Sequence, residues 1–219
     1  MDKLPVEEKH IYDTYCNLIM KEADNGMNQV LVNRPVLEEY IRRQYPGFKL
    51  ISSTTKRITG LDGLLEELNK DYFLVVLDYD LNHNEEVLSA IGKQADKVEI
   101  LVNEICYPGC PKRSEHYRQQ SQMQLEYDID AAFPCPNKTR ERKFEECKER
   151  PSFISREQIR EYADRGFVNF KIVGRGMPMD FVKESYLYYL VKDDSRAFIR
   201  NKMESTLNQF AQAMRKRKA

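Results

Sequence analysis

Phe73-Leu74-Val75-Val76-Leu77-Asp78-Tyr79-Asp80 is an unbroken apolar run ended abruptly by two carboxylates. A continuous run of strand length, rather than an alternating one, belongs to a strand buried on both faces, the condition of parallel sheets covered by helices. The next 20 or so residues fit that reading. Glu85 to Gln94 has helical character, and Val98 to Val102 is a second short apolar run, so 73–102 reads as one strand-helix-strand unit.

The same unit recurs on either side. Upstream, Gln29 to Asn33 is a strand candidate, Pro35 starts a helix running to about Tyr45, and Pro46-Gly47 ends it. Lys49 to Ser53 is the next strand, and Leu61 to Leu68 the next helix. The opening segment, Val6 to Ala23, sets Ile11, Tyr15, Leu18 and Ile19 at helical spacing. Downstream, Ser155 and Gln158 have the spacing of a capping box, with a helix to about Arg165 that Gly166 closes. Val168 to Val173 is a fifth strand candidate, and a helical region extends from Pro178 to about Met214, with a break expected near Asp193-Asp194. The expected fold class is α/β, with parallel (β/α) repeats forming an incomplete or truncated TIM-barrel-like domain over 1–219. A complete barrel needs eight strands. Between about 104 and 151 the reading is a cysteine-bearing loop, irregular from Leu125 to Pro151, with Pro134, Pro136 and a charged run from Lys138 to Arg150.

Composition narrows the functional classes. Lys plus Arg and Asp plus Glu both number 35, so the formal net charge is zero and no global field marks the chain for nucleic acid. Arg215-Lys216-Arg217-Lys218 could touch RNA locally, although basic residues closing a helix also complement its dipole. Apolar stretches fall well short of the roughly 20 residues a bilayer requires, and Met1 to Pro5 lacks a signal-peptide core, so the expectation is a cytoplasmic protein with no membrane partner. An unpaired edge of such a sheet would be covered by self-association, hence an expected homo-oligomer. Cysteines number 5, which favours metal binding or buried thiols over a disulfide framework.

Ligands of parallel α/β folds collect at the C-terminal ends of the strands. The residues falling there are polar: Asn33-Arg34; Ser53-Thr54-Thr55-Lys56; Asp78, Asp80 and Asn82; Asn103-Glu104; and Gly174-Arg175. Loop residues are polar in general, so the signal is their recurrence along one edge. Asp78, Asp80 and Glu104 are candidates for proton handling. Lys56, Asn103, Arg113, Lys171 and Arg175 are candidates for binding substrate, with Lys171 and Arg175 suited to an anionic one.

Cys106-Tyr107-Pro108-Gly109-Cys110-Pro111 comes directly after the fourth strand, and Cys135 and Cys147 lie in the irregular segment. Two thiolates across a Pro-Gly turn can reach one metal, with two more delivered by a loop. Zinc and iron-sulfur centres both suit four thiolates, and the spacing does not separate them. Buried thiols that merely pack are the plain alternative, the one assigned to Cys16. His116 reads as a ligand, a proton carrier or a helix-surface residue, and Arg113 as neutralising a cluster, holding an anion or facing solvent.

The stretch Asn103 to Arg113, together with Phe170-Lys171-Ile172-Val173-Gly174-Arg175, resembles the collagenase-like peptidase family of unknown catalytic type. Ser52-Ser53-Thr54-Thr55 occupies the place of that family's Ser/Thr-rich strand end, and Val173 stands where its segment carries Glu. The resemblance covers most of 26–190 and implies a barrel-like fold. It also implies, from branches of the family that hold a 4Fe-4S cluster, ligation by Cys106, Cys110, Cys135 and Cys147 and support of oxygen-independent hydroxylation; other branches of the family are regarded as peptidases. Three functional classes result: an iron-sulfur protein of hydroxylating or other redox chemistry, a peptidase, and a non-enzymatic module binding zinc or no metal. Against the peptidase, the sequence has no His-Glu-x-x-His and no Gly-x-Ser-x-Gly.

Overall fold

The computed structural model describes residues 6–126, 133–135, 142–174 and 176–218. Among them, strands β1 (Gln29–Val32), β2 (Lys49–Ser52), β3 (Leu74–Val76), β4 (Val98–Leu101) and β5 (Asn169–Lys171) form one sheet in sequential order. Every pairing is parallel, with Leu31 opposite Ile51, Ile51 opposite Leu74, Val76 opposite Glu99 and Leu101 opposite Lys171. The described pairings include none between β5 and β1, so the α/β parallel architecture stands while closure into a barrel is not established.

Sequential order has a structural consequence. Parallel crossovers are almost always right-handed, so when the order never reverses, all the crossover helices lie on one face of the sheet. That face holds the main core: Val32, Leu50, Val75, Leu77, Val98, Ile100 and Val102 from the strand segments. Against them pack Ile41 of α2 (Pro35–Gln44), Leu64 and Leu68 of α3 (Leu61–Leu68), Leu88 and Ile91 of α4 (Glu85–Ile91) and Tyr162 of a later helix, Arg156–Asp164. Leu64 and Leu68 are essentially sealed from solvent, each worth about 1.5–3 kcal/mol of transfer free energy. The opposite face carries a thinner apolar layer of Ile51, Leu74, Val76 and Leu101, with Val173 beside it.

Local chemistry sets the boundaries. α1 (Val6–Ala23) ends at Asp24, whose carboxylate approaches the backbone of Gly47 so closely that a Cβ there would lie 2.6 Å from its Oδ1. The N-cap Asn84 of α4 accepts the Val87 N–H at 3.1 Å. The capping box forms as its spacing implies: Ser155 N–H donates to Gln158 Oε1 at 2.8 Å, and Gln158 N–H to Ser155 Oγ at 3.2 Å.

The 104–151 segment departs from the expected loop, for it contains two helices, α5 (Arg113–Glu126) and α6 (Phe144–Lys148). α5 is built of straight-chain helix formers with little apolar periodicity, so propensity rather than pattern shapes it. α6 spans barely more than a turn, and its Phe144 and Cys147 pack with Phe181. α7 (Arg156–Asp164), α8 (Met179–Leu190) and α9 (Arg196–Lys218) complete the described helices, and a short 3-10 turn at Asp193–Ser195 breaks the C-terminal region where the acidic pair stands.

Candidate functional site

The polar residues at the C-terminal ends of β3 and β4 fold into one buried cluster. After β3 the chain enters a 3-10 turn at Tyr79–Leu81, and Asp78 caps it by accepting the Asp80 N–H at 3.0 Å. This turn brings the Asp78 and Asp80 carboxylates together, which two neighbouring anions tolerate only with compensation. Two arginines supply it. Arg57 donates to Asp78 at 3.0 Å and to Asp80 at 3.2 Å. Arg113, at the start of α5, donates to Asp78 Oδ1 at 3.0 Å and also to Asp80, while its guanidinium lies 3.7 Å from the centre of the Tyr79 ring. Burial alone would lower the Arg113 pKa, but Tyr79 and the two carboxylates outweigh it and hold the group firmly charged. Arg113 does not face solvent: the residue is 2% exposed and its charge is matched by the Asp78 and Asp80 carboxylates.

Asp80 has a further partner. Its Oδ1 accepts the Gly109 N–H at 3.0 Å, so the same carboxylate that binds Arg113 anchors the Cys106–Cys110 turn. Gly109 takes φ +68°, a left-handed conformation that favours glycine.

Beside this network lies Glu104, whose Oε1 accepts the Cys106 N–H at 3.0 Å. Burial raises its pKa, against the opposing pull of the Cys106 and Ile105 amides and of Arg113. The two arginines are already matched by two aspartates, so little net positive field remains to keep Glu104 ionised. Burial likewise pushes up the Cys106 thiol and the Tyr79 hydroxyl, and takes Tyr117 to about 12 and Cys147 to about 12. The polar neighbours of the Tyr79 hydroxyl are Tyr117, Glu104 and Cys106, yet none completes a hydrogen bond by distance and angle among the described residues. The cluster thus holds a carboxyl, two phenols and two thiols, all biased toward their neutral, proton-bearing forms.

The other expected site residues lie outside it. Asn103 works as a clip between strand ends, donating to Val173 O at 2.9 Å and accepting the Val173 N–H at 2.6 Å. Lys171 is paired with Glu99 at 2.8 Å. Lys56 turns toward the helical layer, where it donates to Glu67 at 2.6 Å and Tyr72 at 2.7 Å. There, against the cost of burial, Lys56, Lys70 and Ser52 hold Glu67 at about 2. A cavity of about 650 Å³ opens beside it, lined by Glu38, Arg42, Lys56, Lys70 and Tyr72 among others, apart from the strand-end chemistry. His116 stacks on Phe133 with ring centres 4.5 Å apart, and burial with nearby Arg142 depresses its pKa. Arg175 lies outside the described residues.

The residues that sequence reasoning passed over are Arg57, Tyr79 and Tyr117. Arg57 sits directly after the polar loop of Ser53 to Lys56, with φ +62°, and its position gave no hint that it would reach two carboxylates more than 20 residues away.

Among the described residues, no group of three His, Cys, Asp or Glu side chains is arranged to hold a metal. Cys147 is sealed, its thiol directed at the Glu104 carbonyl oxygen at 3.6 Å, and burial pushes its pKa and that of Cys106 upward. Cys110 is buried and Cys135 is half-buried, whereas Cys16, expected to be a buried thiol, is exposed on α1. Among the described residues the 4Fe-4S reading therefore finds no support.

A parallel α/β sheet with its titratable groups gathered where β3 and β4 end places this protein among folds that keep their chemistry at the C-terminal strand edge. Within that class, the chain is similar to a protein of Methanocaldococcus jannaschii named an uncharacterized protease, 27% identical over 184 residues. The matched region is 81% of this chain and 54% of that relative, so the chain spans about half the relative's length. No family model matches the chain, and no solved structure matches it. No described helix is long and apolar enough to cross a membrane.

Proposed function

We propose that the protein is a hydrolase of the peptidase class in which Glu104 handles the proton. The observation that carries this reading is the Glu104 carboxyl itself, half-buried just after β4, with desolvation raising its pKa. A carboxyl so shifted can protonate the departing amine as the C–N bond breaks, and its carboxylate can then take a proton from the water that adds to the carbonyl carbon. The half-buried Tyr117, whose hydroxyl is shifted to retain its proton, suits hydrogen-bond donation to a developing oxyanion, while the Tyr79 hydroxyl is sealed beneath the site. Asp78, Asp80, Arg57 and Arg113 are committed to one another, and their role is to hold the Cys106–Cys110 turn and the Tyr79 ring in place. The name of the Methanocaldococcus jannaschii relative supports peptide-bond hydrolysis and nothing finer.

The test is hydrolysis of a mixed-sequence quenched fluorescent peptide library by wild type and Glu104→Gln. Glutamine keeps the acceptor oxygen for the Cys106 amide but carries no transferable proton, so kcat should fall about 100-fold or more. A wild-type protein inert toward the library, or a Glu104→Gln variant of undiminished kcat, overturns the assignment.

A further inference from the structure

α9 departs from the body of the protein. Residues 205–215 are exposed without exception, so its last described turns lie outside the core of the described residues. Isolated helices of this length are marginal in water, and a helix that leaves the core needs another surface to hold it. Its composition indicates what kind. Ser205 to Met214 contains no charged residue, and Leu207, Phe210 and Met214 recur at the spacing of one helical face, with Phe210 65% exposed. Arg215-Lys216-Arg217-Lys218 comes immediately after. In a chain of zero formal net charge, α9 carries Arg196, Arg200, Lys202 and these four against the single acid Glu204. Arg200 and Glu204 are engaged with Glu184 and Lys183 of α8, so the single acid of the helix is matched there and the sequence after Met214 is purely basic up to Lys218.

We propose that the end of α9 is a docking element for an anionic lipid surface, lying in the interface with Leu207, Phe210 and Met214 toward the acyl chains and the terminal basic run among the headgroups. The charge pattern selects this occupant. A nucleic acid would draw on cations spread along the helix, and the neutral stretch from Ser205 to Met214 offers none. Two copies of the helix side by side in parallel would bring like-charged ends into each other's field. An apolar stripe ending in a basic cluster matches a surface that is apolar below and anionic above. Lying on a bilayer requires no membrane-spanning helix.

Flotation of the full chain with vesicles tests this. One set is pure phosphatidylcholine, and in the other about a third of the lipid is phosphatidylserine. The expected result is binding to the phosphatidylserine vesicles alone, weakened at least about tenfold by Phe210→Ser with Met214→Ser and similarly by Arg215→Gln with Lys216→Gln, since each basic residue near such a surface contributes about fivefold. High salt should weaken it too. Absence of binding to either set overturns the proposal, as does equal binding to both or full binding by the Phe210→Ser, Met214→Ser variant. Self-association on dilution series that this double variant abolishes, without vesicle binding, assigns the stripe to a second copy instead. Folding of the variants is checked by their unfolding midpoint, which should match wild type because Phe210, Met214 and Arg215 are exposed.

Discussion

Replacement of Arg113 by alanine isolates the interaction on which the candidate site is organised. The side chain is 1% exposed and contacts two carboxylates, one of them, Asp78, equally buried. Its loss leaves Asp78 and Asp80 sharing Arg57, whose side chain is 21% exposed and reaches Asp78 at 3.0 Å and Asp80 at 3.2 Å. Removing one member of a buried ion pair costs about 3–5 kcal/mol, because the remaining charge stays out of water without its partner. Arg57 offsets part of that, while losing the guanidinium stacked over Tyr79 adds about 1 kcal/mol. The net expectation is about 3 kcal/mol, a fall of roughly 6–12 °C in Tm for a chain of this size. Urea unfolding followed by circular dichroism measures it directly, with Arg57→Ala as the partly exposed comparison at about half the effect. Arg113→Lys should recover little, since a single ammonium cannot reproduce the fork that spans both carboxylates. A loss below about 1 kcal/mol for Arg113→Ala would refute the view that this buried network organises the strand ends.

Three further expectations rest on the same region. Because burial raises the Glu104 pKa above its ordinary 4.5, the folded state holds that proton more tightly than the unfolded chain. The contribution is complete below pH 4.5 and declines as pH rises through the folded value, so wild type should lose stability relative to Glu104→Gln from about pH 4.5 upward; a pH-independent difference contradicts it. Cys147, pushed up to about 12 and sealed behind Phe144 and Phe181, should react with iodoacetamide at pH 8 at least about 100-fold more slowly than exposed Cys16. Mass spectrometry of timed samples reads both, and equal rates would show that the thiol is open. Gly109→Ala meets nothing within 4 Å, so its cost is the left-handed backbone alone, about 1–2 kcal/mol, and a neutral result in thermal unfolding would mean that the turn is not held at φ +68°.

Much of the fold was legible in the sequence because the signals were local. The runs 73–77 and 98–102 are continuous and apolar, and both proved to be strands buried on two faces, trimmed to Leu74–Val76 and Val98–Leu101. Pro35, the Ser155/Gln158 pair and the Asp193-Asp194 break each mark a boundary by chemistry that acts within a few residues. α5 was not legible by pattern, since it presents mixed polar residues and its anchoring residue, Arg113, acts on partners more than 30 positions away.

The candidate site divides along the same line. The sequence by itself determined that carboxylates, thiols and cations would gather at the ends of β3 and β4, because side chains that come after an apolar strand emerge at that edge in any parallel sheet. Only the tertiary structure decided which of them pair. It matched Asp78 and Asp80 with Arg57 and Arg113, sent Lys56 to Glu67 and Lys171 to Glu99, and left Glu104 half-buried among groups that keep their protons. Charge pairing and desolvation depend on distances between segments far apart in the chain, and those distances exist only once the sheet has brought the strand ends together.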